Sequence, residues 1–490
     1  MMLILNMLES NIKNKAISSI IWKFLERIIA QGTSFVVSLI IARILIPDDY
    51  SIISIIAIFF SFANVLISGG LNTALIQKRD ADSLDYSTIL CSSLIISLII
   101  YLLLFLSAPI IANIYKKEQL IPIIRIMGFI LPVTSIKSIY SAYISSHLEF
   151  RKFFYATLGG TIISAIIGIC MAIKGKGPWA LVVQQMTNTT IDTIILICFT
   201  KIGITLEISI KKFISLFCYS WKILISNLLG TLYMELSPLA IGIKYSAVDL
   251  AFYSKGKSFP ALLSTASTNT LSAVLFPILA KFQDDKIKIL HYVRIFYKIS
   301  SFITFPIMMG LFGISKNFVL FILTEKWISA VYYIKIFCIC SMFDIISVGS
   351  CETIKAIGRS DIYLIIEIVK KIGYFFTLCF FIYYSNTPEA IAIACCVCVF
   401  IQVIVNSIPI IYLIDYKLKY QMKDIIPNLI SACIMCFSVL LIENINCNIL
   451  IQLIMQIIIG IIIYMFLTFI INKEIILYFI KVGLEGIKMK

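Results

Sequence analysis

The sequence predicts an all-α polytopic membrane protein with about 14 transmembrane helices, and three observations carry this prediction. Hydrophobic residues make up 60% of the chain and charged residues only 14%, with a mean hydropathy of +1.00. A soluble domain usually carries about 25% charged residues. Apolar runs of about 20 residues recur along the chain between charged residues, and each is long enough to cross a hydrocarbon core.

The apolar runs follow one another with short connections, so the sequence offers no room for an appended soluble domain. The run within 22–50 opens with a charged turn and closes at a Pro-Asp-Asp sequence. A weaker echo of it occupies 221–249, which predicts a duplicated architecture. The predicted spans are 20–42, 50–69, 88–114, 120–145, 154–173, 178–200, 216–243, 258–280, 295–314, 330–350, 362–384, 390–413, 425–443 and 449–471.

The domain organisation follows from the most polar break near the middle of the chain. We predict an N-terminal lobe of six helices over 1–200, a cytoplasmic linker over 201–215 and a second six-helix lobe over 216–415. A second echo, between 149–152 and 358–361, supports the duplication. Two additional helices then occupy 416–472, and a basic tail over 473–490 is predicted to lie along the inner lipid headgroups.

Lys and Arg residues predict the orientation of the chain. They are about twice as frequent in one alternating set of loops as in the other, which places both termini in the cytoplasm. The formal net charge of +15 is therefore explained by topology and by contact with anionic membrane lipids, and nucleic-acid binding is not expected.

Several motifs that resemble catalytic or metal sites lack the context that their chemistry requires. The pairs Cys395/Cys398 and Cys433/Cys436 lie inside apolar spans with no His or carboxylate beside them, so no metal is expected. The segment 251–258 (AFYSKGKS) imitates a phosphate-binding loop but follows no strand, and the charge pattern places it in an outer loop. With only two His residues, neither a Ser-His-Asp nor a zinc-peptidase arrangement can be built. We expect neither an enzyme nor a cofactor.

Charged residues inside the predicted spans are the candidate functional residues, because each costs a few kcal/mol at a helix centre and usually faces an interior cavity. Cations suit an anionic substrate, although those near helix ends could instead extend to the headgroups. The deep acids suit a proton or Na⁺ site, or else only pair with internal cations. The candidate substrate-binding cations are Lys23, Arg27, Lys137, Lys222 and Arg294. The candidate ion-coupling acids are Asp192, Glu235 and Asp344.

Five segments together resemble the bacterial polysaccharide repeat-unit flippases, in the colanic acid and lipopolysaccharide exporter branch of the multidrug/oligosaccharidyl-lipid/polysaccharide exporter superfamily. The first is the helix signature within 22–50, where Tyr50 replaces the Gly that is common in the family. The resemblance covers about residues 15 to 415. The other segments are GLNTALIQK at 70–78, EFRK at 149–152, YSKGKSFP at 253–260 and LFPILAKFQD at 275–284.

The resemblance implies a function as well as a fold. It implies two six-helix lobes plus two helices, in the bacterial plasma membrane, that translocate polyprenyl-diphosphate-linked oligosaccharide by alternating access. The product would serve O-antigen, capsule or exopolysaccharide biosynthesis, with H⁺ or Na⁺, a polysaccharide polymerase and chain-length machinery as partners. Lys23 and Lys222 would occupy equivalent places in the two lobes and hold one diphosphate from both sides.

Two other classes of function remain as alternatives. A cation-coupled exporter of small compounds would share the fold, but its site should be lined by acids and aromatic residues. A membrane enzyme, either a polymerase or a glycosyltransferase, would need a large loop or a nucleotide-sugar domain, and the sequence contains neither.

Overall fold

The computed structural model describes residues 22, 25–26, 29–68, 70–78, 81–147, 149–200, 207–445 and 447–473. Within these residues the chain forms helices and no strand. The helices are α1 Ile29–Ile44, α2 Pro47–Ser68, α3 Leu71–Gln77, α4 Ser83–Ile114, α5 Leu120–Met127, α6 Ile130–Ser146, α7 Phe150–Ile173, α8 Pro178–Phe199, α9 Ile210–Lys244, α10 Ala247–Lys281, α11 Lys286–Ile322, α12 Ala330–Ala356, α13 Ser360–Tyr384, α14 Glu389–Ile414, α15 Leu418–Ile442 and α16 Ile449–Ile471. A single 3₁₀ turn, Glu325–Trp327, precedes α12.

The all-α membrane class is confirmed. Eleven spans in the described part of the chain are long and apolar enough to cross a membrane, and helices satisfy their own backbone polar groups there. Each of the predicted runs overlaps a helix, although the run 120–145 is divided between α5 and α6. The helices α1, α10 and α13 are not among the eleven spans, so the count of 14 stays a prediction.

The chain divides into two compact units, Met1–Ala251 and Phe252–Lys490. In the first unit α7 packs along α8, and α9 packs against α2, α3 and α4. Since α9 begins at Ile210, the last residues of the predicted linker are helical, and residues 201–206 lie outside the described residues. The lobe boundaries inferred from the sequence stay a prediction.

Two glycines in the first unit allow neighbouring helices to approach closely. A Cβ at Gly70, between α2 and α3, would lie 2.5 Å from the backbone oxygen of Ser220 in α9. A Cβ at Gly128, between α5 and α6, would lie 2.4 Å from the ring of Tyr101 in α4. Both interruptions between helices therefore occur where another helix occupies the space that a side chain would need.

An ion-pair cluster fixes the first turn of α9 to the start of α4. Asp82 caps α4 by accepting from the backbone N–H of Asp85 at 2.8 Å, and Lys212 donates to Asp82 Oδ1 at 2.6 Å. The hydrogen bond from Lys212 is the main reason why the pKa of Asp82 is lowered to about 2. Lys78 donates to the buried Asp85 at 2.6 Å. Asp82 therefore stays ionised over the physiological pH range.

In the second unit α11 is the central helix and packs against α12, α15 and α16. Buried amides connect these helices, since Asn317 Nδ2 donates to Gln456 Oε1 at 3.0 Å and Gln456 Nε2 donates to the carbonyl of Val439 at 3.1 Å. The two additional helices predicted at the C-terminal end are thus an integral part of the second unit.

The local geometry repeats between the two halves of the chain. Helix α1 ends at Ile44 and α2 begins at Pro47. In the same way, 200 residues later, α9 ends at Lys244 and α10 begins at Ala247. The N-cap residues of α4 and α11 are Asp82 and Asp285. Because each Asp accepts from the backbone N–H three residues ahead, the two helices begin by the same mechanism.

The turn between α6 and α7 also has a counterpart, between α12 and α13. The N–H of Glu149 donates to the carbonyl of Ile144, and the N–H of Arg359 donates to that of Ile354. These hydrogen bonds align Glu149 with Arg359. The sequence echo between 149–152 and 358–361 aligned Glu149 with Gly358, which is one residue earlier. The repeated hydrogen-bond pattern supports the inferred duplication.

We expect Gly313→Val to destabilise the second unit, because a Cβ at Gly313 would lie 2.9 Å from Val439. Overpacking at such a contact costs about 1–3 kcal/mol. The matched control is Gly373→Val, since a Cβ at Gly373 has nothing within 4 Å. The apparent unfolding temperature of the detergent-purified protein should fall for Gly313→Val alone. Equal unfolding temperatures for the two variants would contradict this packing.

Candidate functional site

Two of the predicted site residues, Lys137 and Asp192, form an ion pair in the first unit. Lys137 Nζ in α6 lies 2.7 Å from Asp192 Oδ2 in α8, and the side chain of Asp192 is only 7% exposed while that of Lys137 is 31% exposed. Sequence analysis assigned these residues to separate roles, in substrate binding and in ion coupling. In the structure the two residues form one ion pair, so a change in the charge of either residue affects the other.

A glycine on α7 creates the position of the Asp192 carboxylate. A Cβ at Gly160 would lie 1.9 Å from Asp192 Oδ1 and 2.9 Å from Asn188 Oδ1, so only glycine leaves room for both oxygens. Both oxygens are buried and accept no hydrogen bond from the described residues. Glu26 interacts electrostatically with Asp192, and Thr157 on α7 donates to Glu26 Oε1 at 3.4 Å.

The structure describes only some of the cations near the predicted cytoplasmic ends of the helices. Lys23 and Arg27 lie outside the described residues. Lys222 is exposed on α9 and lies 5.9 Å from the ring centroid of Trp221, and no carboxylate of the described chain lies within ion-pair distance of it. The turn between α1 and α2 and the turn between α9 and α10 are 200 residues apart along the chain. Lys23 and Lys222 are 199 residues apart. Their equivalence therefore stays a prediction, since one residue turns a helical position by about 100°.

The acids predicted in the second half have different surroundings. Glu235 is half-buried on α9. Asp344 on α12 interacts electrostatically with Lys257 of α10, whose ammonium also lies 5.9 Å from the ring centroids of Tyr253 and Phe337. Lys257 was not a candidate because 251–258 was predicted to be an outer loop. The loop prediction was wrong, since α10 begins at Ala247 and these residues are helical, while their outer location stays a prediction.

Arg294 is held by an acid that sequence analysis did not consider. Its guanidinium donates to both oxygens of Asp424 on α15, at 2.7 and 3.0 Å. Tyr416 also donates to Asp424 at 2.8 Å, and Lys298 lies 3.8 Å from it. The acid is 2% exposed. In the sequence, the cluster was indicated only by Asp424, which directly precedes the predicted span 425–443. Its partner Arg294 lies 130 residues away.

The described residues contain no group of three or more His, Cys, Asp or Glu side chains that could hold a metal ion. The cysteines of the two C-x-x-C pairs are free thiols. Among the described residues, the paired charges within helices are the groups that suit the recognition of ions and charged groups.

Comparison with known proteins identifies the family. Residues 40–332, more than half of the chain, match the family described as polysaccharide biosynthesis protein. The chain belongs to this family. The resemblance found in the sequence is confirmed.

Curated relatives of this family member are distant. The succinoglycan biosynthesis transport protein ExoT of Rhizobium meliloti is 20% identical over 307 residues, which cover 62% of each chain. The lipopolysaccharide biosynthesis protein WzxC of Escherichia coli K12 is 22% identical over 363 residues, which cover 72% of each chain. The alignment thus spans less than two thirds of ExoT and slightly more than two thirds of WzxC.

Solved structures establish the fold. The lipid II flippase MurJ, in an inward closed conformation, superposes with a TM-score of 0.74 at 15% identity, over 94% of this chain and 100% of MurJ. An inward-facing multidrug transporter of the MATE family gives a TM-score of 0.62 at 12% identity, over 81% of this chain and 99% of that one. The chain therefore has the fold that these exporters share.

We expect Asp424→Ala to destabilise the protein, because it leaves Arg294, Lys298 and the Tyr416 hydroxyl without their shared acceptor. Removing one partner of a fully buried pair costs about 3–5 kcal/mol, and the 39% exposure of Arg294 reduces this to about 2 kcal/mol.

The control is Asp361→Ala, which breaks an Arg–Asp pair of the same unit whose acid is 59% exposed. Because solvent screens this pair, its loss should change the unfolding temperature little. Thermal unfolding in detergent measures both variants. If Asp361→Ala lowered the unfolding temperature as much as Asp424→Ala, the argument from burial would be wrong.

Proposed function

We propose that this protein is a flippase that moves polyprenyl-diphosphate-linked oligosaccharide repeat units across the bacterial plasma membrane for surface polysaccharide biosynthesis. The observation that carries the proposal is membership of the polysaccharide biosynthesis family over residues 40–332. Relatives named for succinoglycan transport and for lipopolysaccharide biosynthesis support it. So does the shared fold with a protein named as a lipid II flippase.

The cations within the helices suit such a substrate. A diphosphate is an anion, and charge-assisted hydrogen bonds from Lys and Arg are its usual ligands. We assign this role to Lys23, Arg27, Lys137 and Lys222, while Arg294 would act together with its counter-ion Asp424. Among the described members of the set, Lys222 is the cation whose charge no nearby carboxylate of the described chain offsets.

Transport would proceed by alternating access between two lobes, with H⁺ or Na⁺ bound at Asp192, Glu235 or Asp344. Carboxylates buried among apolar helices are costly to ionise, and proton or cation binding removes that cost. The polymerase and chain-length machinery that use the flipped repeat unit are the proposed protein partners.

The alternative functions have weaker support. An exporter of small cationic compounds is favoured only by the MATE fold similarity at 12% identity, and a shared fold does not establish a shared substrate. Polymer synthesis by this chain is disfavoured because ExoT is named as a transport protein.

We expect the double variant Lys23→Ala/Lys222→Ala to lower surface polysaccharide at least about tenfold, because two ligands of the diphosphate would be lost. The measurement is surface polysaccharide in a strain that depends on this gene, together with an immunoblot of membrane-inserted protein. Lys211→Ala, an exposed cation in the first turn of α9, serves as the control and should change neither quantity. Normal polysaccharide in the double variant would remove both lysines from the site.

We also propose that both termini are cytoplasmic, which places the loop between α15 and α16 outside the plasma membrane. Cys447 lies in this loop and is exposed. A membrane-impermeant maleimide should label it in intact spheroplasts, and Cys447→Ser should remove that labelling. Labelling of Cys447 only after the membrane is made permeable would reverse the topology.

A further inference from the structure

Two acceptor oxygens at the Lys137–Asp192 pair have no hydrogen-bond donor among the described residues. Lys137 donates to Asp192 Oδ2 at 2.7 Å, while Asp192 Oδ1 and Asn188 Oδ1 are buried with no partner among the described residues. Both unpartnered oxygens approach the same point, because a Cβ on Gly160 would lie 1.9 and 2.9 Å from them. An unmade hydrogen bond at a buried polar atom costs about 1–3 kcal/mol.

A proton on Asp192 would supply a donor where both oxygens lack one. Protonated Asp192 has an O–H donor, and Asn188 Oδ1 is the acceptor beside it. The charged groups that interact with Asp192 are Lys137 on α6 and Glu26 in the segment before α1. The Glu26 carboxylate repels an ionised Asp192, so a proton on Asp192 would relieve this repulsion.

The protonation of Asp192 changes what Lys137 can bind. With Asp192 ionised, the ammonium is held at 2.7 Å by its counter-ion. With Asp192 neutral, the same ammonium loses the counter-ion that lies 2.7 Å away, which is costly for a charge among apolar helices. Its side chain is 31% exposed, so an anion can reach it from outside the pair.

We propose that Lys137, Asp192 and Asn188 form a proton-operated charge switch. A proton from water binds Asp192 Oδ1 and is shared with Asn188, Lys137 is released, and an anionic diphosphate takes the place of Asp192 as its partner. Loss of the proton to water restores the ion pair and expels the anion. The switch rests on the proposed function, because it names how that substrate class is bound and released.

The test measures binding of farnesyl diphosphate to the detergent-purified full chain in sodium-free buffer at about pH 5.5 and about pH 8. The terminal phosphate of such a ligand loses a proton near pH 6, so simple attraction to fixed cations predicts weaker binding at the lower pH. The switch predicts the opposite, with binding on the order of tenfold tighter at the lower pH.

Four variants separate the switch from other causes. Asp192→Asn should bind tightly at both pH values, because Lys137 is always released, and Lys137→Gln should bind weakly at both. Asn188→Leu keeps the ion pair but removes the acceptor for the proton, so the tightening at low pH should disappear. Glu149→Gln, which breaks a half-exposed pair with Lys152, should behave like the wild type.

Three results would overturn the switch. The first is wild-type binding that does not tighten at low pH, which leaves the proposed substrate class intact. The second is binding that tightens when Na⁺ replaces K⁺ at constant pH and constant ionic strength. The third is no binding of farnesyl diphosphate by the wild type at either pH, which would overturn the proposed substrate class as well.

Discussion

A charge inside an apolar helix bundle is costly unless an opposite charge or a hydrogen bond offsets it, and this constraint governs the interior of both units. Lys137 pairs with Asp192 in the first unit, and Arg294 pairs with Asp424 in the second. These pairs connect helices that are distant along the chain. Each therefore contributes to the packing of its unit and also places a charge where an ion or an anionic group could compete for it.

The two pairs differ in how completely their polar atoms are satisfied. Asp424 accepts from Arg294 through both oxygens and also from Tyr416, so this cluster is suited to hold α15 against α11. Asp192 uses one oxygen and leaves the other unpartnered beside Asn188. Because only the second arrangement leaves a carboxylate oxygen without a donor, it is the better candidate for the proposed charge switch.

Particular residues show how far the sequence could be interpreted. The apolar runs, the duplicated turns and the deep acids Asp192 and Asp344 were identified from pattern alone, because periodic hydrophobicity and charges in apolar runs are local signals. Lys257 was misplaced because Asp249 and the polar run 254–258 lower the hydropathy of the first part of α10. Asp424 was missed because its significance depends on Arg294, which is 130 residues away in sequence.

By itself the sequence determined that this protein is an all-α membrane protein of a polysaccharide biosynthesis family, because hydrophobic run lengths and short motifs lie within continuous segments of the chain. Only the tertiary structure decided which charges meet. Lys137, Gly160 and Asp192 come from three different helices, and no local pattern shows that a missing Cβ on one of them makes room for the carboxylate of another. Pairing between helices depends on packing distances of a few ångströms, which a linear pattern does not contain.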